Sequence, residues 1–173
     1  MYHNRASFVV LEGMAKTKRK DPPDSDANIG RHVDLGPLTN YLGYALRRAS
    51  MSAVAEFLDV FQEVELRPTQ FSVLTLIAHN PGVRQTEICT ALGIQKANFV
   101  PLLNELERRG LALRKSVAGD RRSSALHLTP LGNTTLQKAR AIHEGYESRF
   151  VARLGKRNRD QLLMLLNKVM DGG

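Results

Sequence analysis

Two adjacent arginines, Arg121 and Arg122, stand at the tip of a predicted hairpin in the stretch VAGDRRSSALHLTPLG, residues 117–132. A solvated turn needs only polar residues, whereas two guanidinium groups on a rigid ribbon suit an anionic partner. An arginine in this place has the reach to enter the narrow, strongly negative minor groove of DNA. Asp120 can hold one guanidinium in a fixed orientation through a forked ion pair. The structural alternative is an ordinary surface ion pair between Asp120 and Arg121.

The composition also favours a polyanionic partner. The chain has 173 residues, a formal net charge of +8 and a pI of about 10.0, and 42% of its residues are hydrophobic. This charge points to double-stranded DNA first and to an anionic membrane surface second. No apolar run approaches the length that spans a bilayer, so we expect no membrane insertion. The single cysteine, Cys89, excludes an internal disulfide and fits a reducing, cytoplasmic location.

The first part of the chain divides into an arm and a helix. Residues 1–35 are charged and rich in Pro, Asp and Asn, which predicts a disordered basic and polar arm, with Met14 as an alternative start. Apolar residues then recur every three or four positions, which predicts a first helix over residues 36–65. This helix is apolar nearly all round, so we expect it to line a subunit interface, a ligand pocket or both.

The central stretch, residues 66–130, predicts three further helices and two strands. One helix begins at Pro68, a short one in VRQTEICTALGI is broken at Gly93, and QKANFVPLLNELERRG forms the next. LALRKSV and SSALHLT predict the strands of the hairpin. A short helix, a turn and a longer helix form a helix-turn-helix, and a hairpin directly after it is a wing.

The C-terminal stretch, residues 131–173, predicts two helices that pair subunits. Thr129 caps and Pro130 opens a long fifth helix, and RDQLLMLLNKVM forms a sixth. A single subunit would have difficulty covering the apolar residues that crowd the sixth helix. These residues are Leu162, Leu163, Leu165, Leu166, Val169 and Met170.

The fourth helix is the predicted reader of DNA, because the N-terminal residues of the second helix in such a motif face base edges in the major groove. Those residues are Gln95, Lys96, Ala97 and Asn98. Gln and Asn bind adenine in bidentate fashion, and Lys donates to guanine or phosphate. Asn104 and Arg108, farther along, are expected to reach the DNA backbone. The alternative is that all of these are solvated positions on a surface helix.

The run from Arg67 to Gly132 resembles the MarR family of bacterial winged-helix regulators. The resemblance is carried by RPTQFSVLTLIA, by QTEICTALGIQKANFVPLLNELERRGLALR and above all by GDRRSSALHLTPLG. The last stretch is similar to the family's wing signature, Asp-x-Arg followed by a strand ending Leu-Thr-x-x-Gly. On this match Arg122 is the minor-groove arginine and Asp120 its orienting partner, with Arg121 and Ser123 completing the wing contacts.

The same resemblance implies a fold and an assembly. The fold is mainly α with a small β-wing, a winged helix-turn-helix with flanking dimerisation helices. The first, fifth and sixth helices interleave in a homodimer, which would present two recognition helices to a palindromic operator. One departure from the family pattern is Pro101 inside the fourth helix, where proline removes a hydrogen bond and bends the axis. We expect a kink at Pro101 or a helix that begins later, near Asn98.

A small-molecule effector is also implied, because family members often bind aromatic anions between the dimer helices and the DNA-binding lobe. Tyrosines and arginines together suit an aromatic acid, and LGYALRRA with NFVPLL looks like a branch that responds to aromatic acids or their CoA thioesters. The pocket candidates are Tyr41, Tyr44, Arg47, Arg48 and Met51 on the first helix and Phe71 and Leu74 on the second. The alternative is that the apolar ones are core and the arginines a solvated face.

Other functions have weaker support in the sequence. A redox regulator needs an exposed thiolate of low pKa, whereas Cys89 lies on the expected buried side of the third helix. The five histidines show no metal-ligand spacing, and no motif of an enzyme or of a cofactor site is present. A winged helix used only for protein contact is the remaining alternative, although it would not need Arg121 and Arg122 on a basic hairpin. We therefore expect a DNA-binding regulator, a repressor released by its effector, without enzymatic activity or cofactor.

Overall fold

The structure, a computed structural model, describes residues 33–117 and 120–171, apart from the side chains of residues 117 and 120–123. The predicted arm up to residue 32, with Met14, lies outside the described residues. The chain forms two units, Met1–Thr39 and Asn40–Gly173. In the first unit, the described part is an exposed stretch from Val33 and most of a short 3-10 helix, Gly36–Asn40.

The second unit is helical with one small sheet, which confirms the mainly α fold with a β-wing. Its elements follow the order predicted from the sequence, with one additional strand. They are α1 (Leu42–Val60), a 3-10 turn (Gln62–Val64), α2 (Pro68–His79), β1 (Val83–Arg84), α3 (Gln85–Leu92), α4 (Lys96–Arg108), β2 (Ala112–Val117), β3 (Asp120–Leu128), α5 (Pro130–Leu154) and α6 (Lys156–Asp171).

The first predicted helix is divided, so the continuous helix over residues 36–65 is wrong. Tyr41 adopts an extended backbone (φ −92°, ψ 122°), which separates the 3-10 helix from α1. At the other end, Glu65 has left-handed backbone angles (φ 50°, ψ 39°). A non-glycine residue rarely adopts these angles, and here they turn the chain towards α2.

Several helices begin at the signals that the sequence contains. Pro68 occupies the first position of α2, and the side-chain oxygen of Gln70 accepts a 2.9 Å hydrogen bond from the backbone N–H of Arg67. The hydroxyl of Thr129 accepts a 2.9 Å hydrogen bond from the backbone N–H of Gly132 at the start of α5. Each bond satisfies a donor that the first turn of a helix leaves without a backbone partner.

The core lies between the helix-turn-helix, the sheet and α5. Buried side chains from α2, α3 and α4 meet the buried face of β3, and α5 closes the cluster. The largest fully buried ones are Phe61, Leu66, Val73, Leu74, Ile77, Ile88, Phe99, Leu103, Leu106 and Leu126. Burial of this apolar surface is the main force that fixes α4 against the wing.

The sheet is antiparallel, with the strand order β1-β3-β2. The hairpin of β2 and β3 is the predicted wing, and its register pairs Arg114 with Leu126. Strand β1 was not predicted, because two residues are too few to show any periodicity. It forms because Val83 pairs with Leu126 and Arg84 with Ala125, contacts that are distant in sequence.

Gly132 explains the last position of the wing signature. A Cβ atom at this residue would overlap the carbonyl oxygen of Leu111, so only glycine allows α5 to pass this close to the start of β2. The hydroxyl of Thr129 donates to the carbonyl of Gly110 in the same corner. The Leu-Thr-x-x-Gly pattern therefore fastens α5 to the base of the wing.

Two helices expose apolar faces in a single subunit. On α1 the exposed large residues are Leu42, Met51, Val54 and Leu58, and on α6 they are Leu162, Leu163, Met164, Leu165, Val169 and Met170. Contiguous apolar surface of this kind is typical of an interaction face. In the part of the chain that the structure describes, no helix is long and apolar enough to cross a membrane.

Candidate nucleic-acid interface

A tight turn sets the angle between α3 and α4. Gly93 ends α3 with left-handed backbone angles (φ 63°, ψ 27°), and Gln95 caps α4 from an extended conformation. Glycine adopts φ above zero without steric cost. The backbone N–H of Ile94 donates to the carbonyl of Cys89 at 2.9 Å and closes the turn. These features give the short helix, turn and second helix that the sequence predicted.

The first turn of α4 faces solvent. The exposed residues there are Gln95, Lys96, Ala97 and Asn98, the four predicted base readers. On the opposite side of the helix, Phe99, Leu103 and Leu106 have no exposed surface. The helix is therefore anchored along one face while its N-terminal polar groups stay available to a ligand. An exposed helix N-terminus with amide and ammonium donors suits a DNA groove.

Pro101 does not interrupt the fourth helix. Because α4 runs from Lys96 to Arg108 with Pro101 inside it, the expectation that the helix begins later, near Asn98, is wrong. Pro101 has no N–H to donate to the carbonyl of Ala97, and this missing bond is the physical reason to expect a bend. The kink itself stays a prediction.

The wing follows α4 directly. Strands β2 and β3 are paired from Ala112 opposite Leu128 to Val117 opposite Asp120, with an irregularity at Ser116 and Val117. The backbone of residues 120–123 belongs to β3. The predicted contacts of Asp120, Arg121, Arg122 and Ser123 depend on side chains that lie outside the described residues.

Side chains on α4 also join the helix to the wing. Arg114 of β2 forms an ion pair with Glu107 and donates a 3.0 Å hydrogen bond to the side-chain oxygen of Asn104. The guanidinium of Arg108, by contrast, is largely in solvent and pairs with Glu105, one turn earlier. These partners of Arg114 are seven and ten residues away in sequence, and no local pattern indicates them.

The predicted effector residues differ in exposure in the single subunit. Tyr41 is exposed and lies directly before α1, not on it as expected. On α1 itself, Arg47, Arg48 and Met51 are exposed and Tyr44 is half-buried, so this segment offers an open aromatic and basic face. On α2, Leu74 is fully buried, and Phe71 packs inside an aromatic cluster. The α1 group and part of Phe71 are therefore open to a ligand, whereas Leu74 is not.

That aromatic cluster joins α1, α2 and α5 and was not predicted. The rings of Phe57 and Phe61 stack at 3.7 Å between centroids, and the imidazole of His143 stacks on Phe71 at 4.9 Å. The hydroxyl of Tyr146 donates a 3.0 Å hydrogen bond to the carbonyl of Ala53, while burial raises the pKa of that hydroxyl. The spacing of Phe57 and Phe61, one helical turn apart, was the only local signal.

Among the described residues, the geometry supports neither redox sensing nor metal sensing. Burial raises the pKa of the Cys89 thiol above its ordinary value of 9.0, and nearby Lys96 only partly opposes this shift. A thiol of raised pKa is a poor redox sensor. In the described ranges, 33–117 and 120–171, no group of three or more His, Cys, Asp or Glu residues is placed to hold a metal ion.

Known proteins resemble this chain in sequence and in architecture. The family model described as MarR family matches residues 65–123. A putative transcriptional regulatory protein for the hcr operon of Thauera aromatica is 31% identical over 135 residues, 78% of this chain and 81% of that protein. The transcriptional regulator HosA of Escherichia coli is 30% identical over 107 residues, 62% of this chain and 79% of HosA.

Solved structures of one repressor resemble most of this chain. The transcriptional repressor CouR bound to a 23-mer DNA duplex is 44% identical, with a TM-score of 0.78 over 81% of this chain and 99% of that chain. CouR bound to p-coumaroyl-CoA is 43% identical, with a TM-score of 0.75 over 80% of this chain and 98% of that chain. The resemblance stated from the wing is confirmed, and the chain belongs to the MarR family of transcriptional regulators.

Proposed function

We propose that this regulator is a homodimeric, sequence-specific DNA-binding repressor that an aryl-CoA thioester or aromatic acid releases from its operator. Each subunit would place the first turn of α4 in the major groove and Arg122 in the flanking minor groove. Asp120 orients Arg122 in this proposal, with Arg121 and Ser123 beside them. The observation that carries the proposal is the exposed polar turn of Gln95 to Asn98, set on a buried base directly beside a basic hairpin.

Charge supports DNA over a protein partner. Between Gln95 and Arg122 the chain has seven basic residues and three acidic ones. A binding face of this kind gains much of its affinity from the release of counterions, so the affinity falls steeply as salt rises. A winged helix that contacts only protein would not show that steep dependence.

The exposed apolar faces support the homodimer. The faces on α1 and α6 would be covered by a second copy, which leaves residues 66–130 as the DNA-binding lobe and residues 36–65 and 131–173 as the dimerisation part. Residues 1–35 form the arm in this division. Two-fold symmetry presents the two α4 helices to half-sites one helical turn apart, which requires a palindromic operator.

Similarity to CouR and the exposed residues of the α1 segment support the proposed effector class. CouR, at 43% identity, has been solved with p-coumaroyl-CoA bound. The exposed Tyr41, Arg47 and Arg48 offer ring surface and guanidinium groups that suit an aryl group and CoA phosphates. We propose that Tyr44, Met51 and Phe71 contact the aryl group and that Leu74 supports this wall from behind.

A mobility-shift titration on the DNA upstream of the protein's own gene tests the proposal. We expect a salt-sensitive shift that is specific for that fragment and is released by one member of a panel of aromatic acids and their CoA thioesters. Release by oxidants or by metal ions would instead favour a redox or metal input. A protein that shifts no fragment at low salt would contradict DNA binding and favour the protein-contact alternative.

A further inference from the structure

A three-residue contact links the recognition helix to the wing. The backbone N–H of Arg114 donates a 3.1 Å hydrogen bond to Glu107 Oε1, and Nη1 of the same arginine pairs with Glu107 Oε2. Nη2 donates a 3.0 Å hydrogen bond to Asn104 Oδ1. One residue of β2 is thus held at three atoms by two residues that lie one turn apart on α4.

We propose that Asn104, Glu107 and Arg114 are positioning residues that fix the angle between the recognition helix and the wing. None of the three contacts DNA in this proposal, so it replaces the expected contact of Asn104 with the DNA backbone. The inference rests on the proposed function, because an angle between two DNA-binding elements matters only if both bind DNA.

The geometry of the arginine fork makes this contact directional. A guanidinium is planar and carries its donors in a fixed fork, so two acceptors on one helix set its plane as well as its distance. The side chains of Arg114 and Glu107 are 31% and 26% exposed, which limits competition from water. The main-chain bond to Glu107 then transmits this orientation to the strand itself.

The sheet prevents the strand from adjusting independently. Arg114 is paired in register with Leu126, whose side chain is fully buried in the core. A shift of register by one residue would move every side chain of the strand to the other face. The contact therefore orients the whole hairpin, including the tip that begins β3 at Asp120.

The place of Asn104 argues against base reading. It lies eight residues after Lys96, about 12 Å farther along the helix axis, whereas base contacts come from the N-terminal end. Bidentate binding of adenine requires the amide oxygen as an acceptor. In this structure that oxygen already accepts from Arg114, so the link to the wing competes with a base for the same acceptor.

The charge of Arg114 is also compensated. Its guanidinium pairs with the Glu107 carboxylate, which leaves little net attraction for a phosphate. Lys115, the next residue of β2, is exposed and points to the opposite side of the strand. Lys115 is therefore a matched control for Arg114, because both are basic residues of β2 and Arg114 is the one that faces α4.

The test is a double-mutant cycle on DNA binding. Wild-type protein first selects its preferred duplex from a randomised library, and each variant is then titrated on that duplex and on all its single-base changes. Asn104→Ala and Arg114→Ala should each weaken binding by about tenfold, equally on every duplex, and the double variant should be hardly weaker than Arg114→Ala alone. Lys115→Ala should be additive with Asn104→Ala.

Two further readouts separate positioning from direct contact. Arg114→Ala should leave the slope of log affinity against log salt unchanged, since no phosphate contact is lost. Hydroxyl-radical footprints should lose minor-groove protection while the protection under α4 remains. Arg114→Lys keeps the charge without the fork and should behave like Arg114→Ala. Thermal melting identifies any variant that fails to fold. If Arg114→Ala does not fold, the footprint is recorded with Asn104→Ala, because Asn104 is exposed.

The outcomes distinguish this inference from the proposed function. If Asn104→Ala relaxes specificity at one base position, or if its loss is additive with that of Arg114→Ala, the positioning role is overturned while DNA binding stands. A reduced salt slope for Arg114→Ala would likewise assign it a phosphate contact. If wild-type protein selects no duplex, the proposed function and this inference fall together.

Discussion

The guanidinium of Arg109, at the end of the recognition helix, holds the left-handed residue Glu65, which ends the 3-10 turn after α1. Its Nη1 donates a 2.7 Å hydrogen bond to the carbonyl oxygen of Glu65, and its Nη2 donates a 3.1 Å bond to the carbonyl oxygen of Val64. Glu65 has φ of 50°, an angle that persists when surrounding contacts enforce it. One side chain thus joins the turn between α1 and α2 to the end of the recognition helix.

Replacement of Arg109 should therefore destabilise the fold. We expect Arg109→Ala to lower the free energy of unfolding by about 1.5 kcal/mol, because hydrogen bonds from a charged donor to two carbonyls are lost. Arg108→Ala is the matched control: its side chain is 72% exposed and forms a surface pair with Glu105, worth less than about 0.5 kcal/mol. Urea denaturation measures both, and equal effects of the two substitutions would contradict the argument.

The Arg109 contact also illustrates what the sequence could and could not reveal. Helix starts at Pro68 and Thr129 were predictable, since a proline and a hydroxyl act within one turn. Arg109 is 44 residues from Glu65 in sequence, and no periodicity indicates such a pair. Strand β1 was not predicted for the same reason, because it forms through the pairing of Val83 with the distant Leu126. Local rules predicted the elements, whereas the contacts between elements required the packed structure.

Substitutions in the recognition helix should change the specificity of DNA binding, whereas substitutions in the wing should change its overall affinity. Gln95→Ala and Asn98→Ala should each relax specificity at one base position by about 1–3 kcal/mol, because a base contact is lost. Arg122→Ala should weaken binding to all duplexes alike, since a minor-groove arginine reads shape and potential. Fluorescence anisotropy on single-base variants of the operator measures both effects. Unchanged affinity of Arg122→Ala at moderate salt would refute the assignment of the wing.

An ion-pair cluster between α1 and α5 should give acid-dependent stability. Glu56 accepts from Arg153 at 2.7 Å and from Arg149 at 3.3 Å, and these bonds lower the pKa of its carboxyl below the ordinary value of 4.5. A carboxyl whose pKa is lower in the folded state stabilises the fold above its unfolded pKa and loses this contribution as pH falls.

The stability of wild-type protein relative to Glu56→Gln should therefore be constant at neutral pH and shrink below pH 4.5. Melting curves recorded from neutral to acidic pH measure this difference. Glu144→Gln, an exposed glutamate on α5, is the control and should melt in parallel with wild type. A difference between wild type and Glu56→Gln that persists at the acidic end would show that the two arginines do not carry the effect.

The single cysteine should be slow to react. Because burial raises the pKa of Cys89 above 9.0, less thiolate is present at neutral pH than in an ordinary thiol. Alkylation by iodoacetamide at pH 7 should be slower than alkylation of glutathione, and its rate should reach half-maximum above pH 9.0. Cys89→Ser should retain DNA binding and effector release. Release of DNA by peroxide from wild type, but not from this variant, would establish a redox input instead.

The apolar face of α6 should be required for dimerisation and hence for tight DNA binding. Leu162, Leu165 and Val169 lie at helical spacing and are exposed in the single subunit. Burying a glutamate there without a partner is unfavourable, so Leu162→Glu with Val169→Glu should shift the protein from dimer to monomer in light scattering. Two linked half-site contacts then become one, and operator affinity should fall by about a hundredfold or more.

Gln161→Glu, an exposed polar neighbour, should remain dimeric and bind normally. A double variant that stays dimeric would remove α6 from the interface.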